Sequence, residues 1–387
     1  MSFSLVRQII LSSPKVCSRS FATAEAATIT SFNTNTVLRT TENDPTHHTQ
    51  DHIGLLYTLD SNVKKKLFPP SVLPKQFEDN CKTFAESSIV IRSPAVELIS
   101  FLKRANYDHP VIRYVIYGRT GCGKSLTMAH ALHYAHVNKF ITLHVPNVWR
   151  WFCNTKEIVA LNNESTVIDF PLEAASWLKN FSATNSDLIT ELNLRLSKDY
   201  VWNKRETTPA NSPLNELVAH GIARVKYASA VIDGLIDELK LFSNKGSCKT
   251  MVAIDGFNGF FNFWTVLKTS EKVRVTPDKV TLTKSFLKAA ENDWKNGAVI
   301  LTVDKDATSL KYPNENHYPF HLLGKKGVEH IDPFIPIHVP EMNKGEFHNL
   351  LNYLEERKWL QNPQGRQELE FLSQRNPKEL IKLCASL

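Results

Sequence analysis

Five short runs of β-branched and apolar residues recur along the chain, with longer stretches of helical periodicity between them. The runs occupy residues 111–117, 140–145, 250–255, 298–303 and 334–339. Short apolar runs bounded by turn residues predict buried strands, and their alternation with helical stretches predicts a parallel sheet with helices on both faces. The pattern therefore predicts an α/β fold built on a five-stranded parallel sheet.

The longest gap between two runs predicts an insertion. The 104 residues at about 146–249 are too many for one crossover connection. Within them, apolar residues recur at helical spacing from Leu214 to Leu239, and Ser212-Pro213 is a typical helix start. We expect one long amphipathic helix there, with its apolar stripe packed in the core.

The end of the chain has the pattern of a small helical domain. Residues 346–360 and 367–374 are amphipathic, and Asn376-Pro377 begins a third helical stretch. We therefore assign residues 341–387 to a C-terminal helical domain.

Composition excludes several classes of protein. Of 387 residues, 42% are hydrophobic and 22% are charged, which allows two or three structural units with sizeable cores. The absence of any window of about 18 apolar residues predicts no membrane span. Six scattered cysteines without a Cys-x-x-Cys pair argue against a disulfide framework or a zinc ribbon and favour a reducing compartment.

The beginning of the chain is typical of a mitochondrial targeting segment. Residues 1–21 contain three basic side chains, several serines and no acidic residue, as in a transit peptide. A secretory signal is the main alternative, but Gln8 interrupts its apolar core, and a disordered start is the other. Residues 22–60 are predicted to be a disordered or wrapping extension, within an N-terminal extension at 22–84. We expect a protein of the mitochondrial matrix.

The positive charge is concentrated in one region. The net charge is +7, and residues 111–160 contain six basic side chains but only one acidic one. A protein that coats nucleic acid would spread its basic residues more widely. The distribution therefore predicts a local anion site.

A phosphate-binding motif lies in that region. The first predicted strand is followed by Gly-Arg-Thr-Gly-Cys-Gly-Lys-Ser at 118–125, which fits the pattern Gly-x4-Gly-Lys-Ser/Thr. The glycines let successive N–H groups point at phosphate oxygens, and the following helix adds partial positive charge. A glycine-rich turn that matches by chance is the alternative. The predicted nucleotide contacts are Gly118, Arg119, Thr120, Gly121, Cys122, Gly123, Lys124, Ser125 and Leu126.

Two of these residues have specific roles in the motif. Lys124 reaches the β- and γ-phosphates, and Ser125 places its hydroxyl on Mg²⁺. Asp255, at the end of the third apolar run, is predicted to hold the same Mg²⁺ through water. Apolar strands often end in aspartate, so it is the phosphate loop that favours this role. Five strands with the loop after the first and the aspartate after the third match the AAA-like P-loop NTPases, so we assign residues 85–340 to such a domain.

The residue after Asp255 bears on hydrolysis. Active members of that superfamily usually have a glutamate there to orient the attacking water, whereas this chain has Gly256. Loss of a positioned base slows a reaction by about 10²–10⁴-fold, so we expect nucleotide binding with little or no hydrolysis. Thr302 or Asp304 could sense the γ-phosphate, or either could be an ordinary strand-end residue.

Three histidines also occur at regular spacing. His130, His133 and His136 lie three residues apart on a predicted helix, so the outer two are about 240° apart around the axis and cannot all face one ion. We interpret them as packing or solvent-facing residues.

Several sequence blocks together closely resemble the death-associated-protein-three family of GTP-binding proteins of the mitochondrial ribosomal small subunit. The resemblance extends from about residue 50 to the end. The blocks are the loop at 118–125, Pro-Leu-Glu-Ala-Ala-Ser-Trp-Leu-Lys-Asn-Phe at 171–181, Tyr-Val-Trp-Asn-Lys-Arg-Glu at 200–206, Ala-Ile-Asp-Gly-Phe-Asn at 253–258, Asn-Asp-Trp at 292–294, Leu-Leu-Gly-Lys at 322–325 and Asp-Pro-Phe-Ile-Pro-Ile at 332–337.

The resemblance implies GTP or GDP, with Mg²⁺, held as a structural element in the head of the small subunit. It implies contacts with the small-subunit rRNA and neighbouring ribosomal proteins, bridges to the large subunit, and a link to apoptosis in animals. Cys122 and Ser125 replace two threonines of the animal members, and Ser125 keeps the hydroxyl. The alternative function is an active mitochondrial GTPase or ATPase that acts as an assembly factor or switch.

Overall fold

The computed structural model describes residues 36–161, 167–269, 272–308, 316–360 and 363–384. The predicted transit peptide at 1–21 and the extension up to residue 35 lie outside the described residues.

The strands and helices alternate along most of the chain. The strands are β1 (Leu56–Thr58), β2 (Ser88–Val90), β3 (Ile112–Tyr117), β4 (Phe140–Val145), β5 (Val159–Ala160), β6 (Ile168–Asp169), β7 (Tyr200–Val201), β8 (Thr207–Thr208), β9 (Lys249–Ile254), β10 (Gly297–Thr302) and β11 (Ile335–His338). The helices are α1 (Ser61–Leu67), α2 (Lys75–Thr83), α3 (Ser93–Arg104), α4 (Lys124–Val137), α5 (Val148–Cys153), α6 (Pro171–Glu191), α7 (Leu214–Ala223), α8 (Ala228–Asn244), α9 (Thr281–Ala289), α10 (Pro319–Ile331), α11 (Lys344–Glu356), α12 (Arg366–Ser373) and α13 (Pro377–Cys384).

The central sheet has five parallel strands in the order β11-β3-β10-β9-β4. These are the five strands predicted from the apolar runs, each within one residue of the predicted bounds at both ends. Strand β10 lies between β3 and β9, so that Ile300 pairs with both Tyr114 and Ala253. The carboxyl ends of β3, β9 and β10 therefore meet at one edge. The prediction of an α/β fold on a five-stranded parallel sheet, with the phosphate loop directly after its first strand, is confirmed.

Both faces of this sheet are buried under separate cores. Val115 and Ile254 point to the face covered by the insertion and helix α9, whereas Ile116 and Ala253 point to the face covered by α3, α4 and the N-terminal extension. All four side chains are fully buried. This explains why the strands are continuous apolar runs rather than alternating ones.

The predicted single long helix in the insertion is wrong, because the chain forms two helices. Helices α7 and α8 are separated by a 3-10 turn at Val225–Tyr227. The turn lets both helices pack against α6, whereas one straight helix of that length would extend about 45 Å, beyond the core. The three helices meet at Gly221, where an added Cβ would lie 2.6 Å from Leu178 and 2.8 Å from Val231.

The C-terminal helices α11, α12 and α13 form as predicted and share a small core with the N-terminal extension. Leu56 of β1 packs in this core. Asn349 of α11 also exchanges two hydrogen bonds with the backbone of Leu38, at 2.8 and 2.9 Å. The extension therefore wraps onto the C-terminal helices from residue 38 onwards.

Two of the three predicted helical histidines, His130 and His133, pack where the extension crosses α4, and His136 is half-buried. His130 and His133 of α4 are buried beside the ring of Tyr57, and His48 of the extension lies 2.8 Å from His130, between Nδ1 and Nε2. Among the described residues, no cluster of histidine, cysteine or carboxylate side chains has the arrangement of a metal site. None of the helices in the described ranges is long and apolar enough to cross a membrane.

Buried neutral histidines make stability depend on pH. Burial lowers the pKa of His133 to about 4 and that of His144 to about 4. In the unfolded chain these groups titrate near 6.5, so below that pH the unfolded state binds more protons. We expect the free energy of unfolding to fall by about 1 kcal/mol per histidine between pH 7 and pH 5.5, measured by urea unfolding. His133→Gln should remove part of this slope, and a slope unchanged by that substitution would contradict the assignment.

Candidate nucleotide-binding site

The loop at 118–125 has the curled backbone that the motif requires. Gly121 and Gly123 adopt left-handed conformations, with φ of 89° and 104°, and α4 begins directly after them at Lys124. Gly118 is required for space, since a Cβ placed there would lie 2.2 Å from the carbonyl oxygen of Val339. The loop therefore presents its amides and the amino end of a 14-residue helix at one point.

The ammonium group of Lys124 lies inside this loop. It is almost fully buried and donates to the carbonyl oxygens of Gly118 and Arg119, at 2.9 and 3.0 Å. Its charge is balanced by Asp304, whose Oδ2 lies 2.7 Å away. The other oxygen of Asp304 accepts from the hydroxyl of Thr120 at 3.0 Å. Of the two candidate sensors, Asp304 thus contacts the lysine of the loop.

The other candidate, Thr302, contacts the predicted magnesium ligand. Its hydroxyl donates to Asp255 and accepts from the backbone N–H of Gly256 at 2.9 Å. Burial raises the pKa of Asp255, while hydrogen bonds from Ser125 and Thr302 oppose the shift. The nearby carboxylate of Asp304 raises this pKa further. A divalent cation would relieve both the burial and the repulsion, and hydroxyl and carboxylate oxygens are the ligands that Mg²⁺ prefers.

Gly256 cannot be replaced simply by the glutamate of active relatives. Its φ is 75°, a conformation that disfavours side chains, and an added Cβ would lie 3.1 Å from that of Ala307. This position thus combines a residue without a carboxylate and a backbone conformation that disfavours one.

Two residues outside the motif hold the loop from behind. Arg92, which is buried, donates to the carbonyl oxygen of Cys122 at 2.5 Å and also pairs with Glu346 at 3.3 Å. Asn376 donates to the carbonyl oxygen of Thr120 at 2.9 Å. Sequence reasoning missed Arg92, because an isolated arginine before a helix has no recognisable pattern. Asn376 was marked by its Asn-Pro pair, although not as a loop contact.

The predicted contact residues do not all face the same way. Arg119 turns towards the C-terminal helices and donates to the side chains of Glu341 and Gln374, each at 3.1 Å. The side chain of Cys122 is buried, so this residue offers only its backbone. Leu126 lines a cavity of about 100 Å³ beside Gly123. The cavity is bordered by the extension, by α4 and by the C-terminal helices, and its lining includes Cys81, Arg92, Tyr353, Pro377 and Ile381.

Comparison with known families identifies the family of the chain. The profile of the family described as mitochondrial ribosomal death-associated protein 3 matches residues 89–383. The chain belongs to this family. The match covers the phosphate loop, Asp255 and Asn376, so the residues that build the site lie in the part that the family shares.

Two mammalian relatives extend the similarity over nearly the whole chain. The small ribosomal subunit protein mS29 of Bos taurus is 39% identical over 359 residues, which cover 92% of this chain and 89% of the bovine protein. The protein of the same name from Mus musculus is 37% identical over 91% of this chain and 90% of its own length. Among solved structures, the ORC2 protein of Aeropyrum pernix aligns with a TM-score of 0.35 and 13% identity, over 76% of this chain and 59% of that one. A similarity of that size carries no argument about the site.

The contact between Asn376 and the loop should contribute measurably to stability. Asn376 caps α13 by accepting from the N–H of Lys378 at 3.0 Å, in addition to its bond to Thr120. We expect Asn376→Ala to lower the free energy of unfolding by about 2 kcal/mol, one for the cap and one for the buried hydrogen bond. Asn343→Ala is the matched control, since Asn343 caps α11 by accepting from Glu346 at 2.8 Å. It should lose only about 1 kcal/mol. If urea unfolding shows equal losses of unfolding free energy for the two variants, the hydrogen bond between Asn376 and the loop does not contribute to stability.

Proposed function

We propose that this chain is a component of the mitochondrial small ribosomal subunit and holds a guanine nucleotide with Mg²⁺ as a structural ligand. The observation that supports nucleotide binding is the combined geometry of the loop at 118–125 and Asp255. Left-handed glycines, a buried lysine and a hydroxyl–carboxylate pair lie at one end of the sheet. Membership in the ribosome is supported by the names of the mammalian relatives, which this chain resembles over nine-tenths of its length.

The chain's own residues supply the binding chemistry. The amides of 121–125 and the ammonium group of Lys124 bind phosphate oxygens, and Ser125 and Asp255 are the side chains that would hold Mg²⁺. Lys124 exchanges its contact with Asp304 for phosphate when the nucleotide binds. The cavity beside Leu126 is where the base would fit, and guanine rather than adenine follows from the family resemblance. Mg²⁺ supplies charge neutralisation for the phosphates.

A bound nucleotide would stabilise three parts of the chain together. The loop is contacted by Arg92 from the segment before α3 and by Asn376 from the C-terminal helices. Any ligand that binds only the folded loop adds about 2.7 kcal/mol to the unfolding free energy at a hundredfold excess over its Kd. In this chain that energy also holds the C-terminal helices against the sheet. This effect is what we mean by a structural ligand.

Lys124→Ala should abolish nucleotide binding. At a hundredfold excess over Kd, GDP with Mg²⁺ should raise the melting temperature of the wild-type chain by about 4 °C. Neither Lys124→Ala nor Ser125→Ala should show this rise, and the second variant leaves the buried ion pair intact. Lys325→Ala, on the exposed side of α10, is the control and should respond like the wild type.

The preference for guanine over adenine can be tested in the same assay. ADP with Mg²⁺ at the same concentration should give a clearly smaller rise than GDP. An equal rise would overturn the guanine part of the proposal, and a full rise in Lys124→Ala would overturn the site.

Hydrolysis should be slow because Gly256 has no side chain that could act as the general base for the attacking water. Relative to a typical enzyme turnover of about 10 s⁻¹, loss of a positioned base predicts about 0.1 to 0.001 s⁻¹ or less for GTP with Mg²⁺. Release of phosphate under single-turnover conditions measures this rate, with Lys124→Ala as the background. Turnover near 1 s⁻¹ would favour the alternative, an active GTPase or ATPase acting as an assembly factor or switch.

Membership in the ribosome is tested by sedimentation of a mitochondrial lysate in Mg²⁺ and moderate salt. The endogenous protein should migrate with the small subunit. Protein that remains mostly at the top of the gradient would contradict the structural role.

A further inference from the structure

The amino ends of the sheet strands form a shallow groove at the opposite edge from the nucleotide loop. The loops that precede β3, β4, β9 and β10 enclose a volume of about 600 Å³. Its lining includes Tyr107, Lys139, Lys245, Lys249 and Lys295, and we call this surface the amino-end groove. No residue of the predicted nucleotide site lines it.

The groove has an excess of positive charge. Its lining contains four exposed lysines but only one carboxylate, Asp108. Lys139 pairs with Glu191 outside the lining, at 2.6 Å. In the parts of the chain that the structure describes, Lys245, Lys249 and Lys295 form no ion pair with a carboxylate. Three exposed cations around one depression, without carboxylate partners, create a positive potential that attracts anions.

Helix capping explains only part of this excess. Helices α4 and α8 end at this edge, and cations near a helix carboxyl end gain about 0.3–1 kcal/mol. This accounts for Lys139 and Lys245. It does not account for Lys249, the first residue of β9, or for Lys295, in the loop before β10.

The backbone beneath the lysines is held in place. Asn296 donates its side-chain amide to the carbonyl oxygen of Cys248 at 2.7 Å, and its N–H to that of Tyr107 at 2.9 Å. These bonds connect three of the loops that line the groove. Lys249 is further positioned by the ring of Tyr107, with 4.9 Å from Nζ to the ring centroid. The ammonium groups therefore extend from fixed positions.

We propose that the amino-end groove binds the phosphate backbone of RNA. Lysines act as point charges on phosphates, and the exposed side chains of Asn244 and Ser247 in the lining add hydrogen-bonding groups suited to phosphate and sugar. The partner follows from the proposed place of the chain in a ribosomal subunit, on which this inference rests. Because the groove and the nucleotide loop lie at opposite edges of one sheet, RNA and nucleotide bind without competing.

The test compares two triple variants of the chain without residues 1–21. One neutralises the groove with Lys245→Gln, Lys249→Gln and Lys295→Gln. The control removes the same charge elsewhere with Lys325→Gln, Lys326→Gln and Lys344→Gln, which are exposed positions. The probe is a fluorescent single-stranded RNA of 30 nucleotides of mixed sequence, titrated by anisotropy from 50 to 200 mM KCl.

We expect the groove variant to bind at least tenfold more weakly at 50 mM KCl than the control does. Each lost phosphate contact reduces the slope of log K against log[KCl] by about 0.7, so three should reduce it by about 2. An unchanged slope, or equal weakening in both variants, would overturn the groove as the RNA site. Competition by polyglutamate as strong as that by unlabelled RNA would also overturn it, in favour of an acidic protein partner.

Two further measurements separate this inference from the proposed function. The GDP-dependent rise in melting temperature should be the same in the groove variant and the wild type, which shows that the fold and the nucleotide site are intact. Wild-type protein absent from the small-subunit peak would contradict the proposed function. Wild-type protein present there, with an unchanged salt slope in the groove variant, would contradict the groove alone.

Discussion

The arrangement of the site depends on one buried cation, the guanidinium of Arg92. Only 6% of this residue is exposed. A charge that is so deeply buried is tolerated only where its N–H groups have hydrogen-bond acceptors. It donates to the carbonyl oxygens of Cys122, Pro340 and Glu341 and pairs with Glu346. Those partners belong to the phosphate loop, to the segment that leads into α11 and to the first turn of that helix. The contacts of this one guanidinium thus hold the C-terminal helices over the loop. Removing one partner of such a buried charge typically costs about 3–5 kcal/mol.

The same principle governs the loop itself. Lys124 is balanced by Asp304, and the carboxylate of Asp304 in turn raises the pKa of Asp255. An anionic phosphate and a divalent cation arriving together leave this balance nearly unchanged, because each new charge meets an opposite one. Phosphate alone would compete with Asp304 for the same ammonium group. The proposed ligand is therefore the nucleotide together with Mg²⁺.

The parts of the molecule that follow a local pattern could be predicted from the sequence, and the rest could not. The strands were found because a sheet buried on both faces requires continuous apolar runs, and the loop because phosphate binding needs glycines at fixed positions. The break between α7 and α8 was missed, because the apolar stripe continues through Val225 and only packing against α6 requires the turn. Arg92 was missed for a related reason: its partner Cys122 lies 30 residues away and Glu346 lies 254 away. Periodicity reports which face a residue occupies, but not which distant carbonyl it meets.

In a parallel sheet all strands end at one edge and begin at the opposite edge. The proposed nucleotide site lies at the carboxyl ends of the strands, and the proposed RNA site lies at their amino ends. At the carboxyl edge, Gly256 lies in a left-handed turn whose N–H is bonded to Thr302, which itself holds Asp255. A glutamate in place of Gly256 would put a side chain on a left-handed residue, with its Cβ 3.1 Å from that of Ala307. At the amino edge, Lys249 is the first residue of β9, and Lys139 and Lys295 lie just before β4 and β10. This surface can therefore meet a polyanion while the nucleotide stays in place.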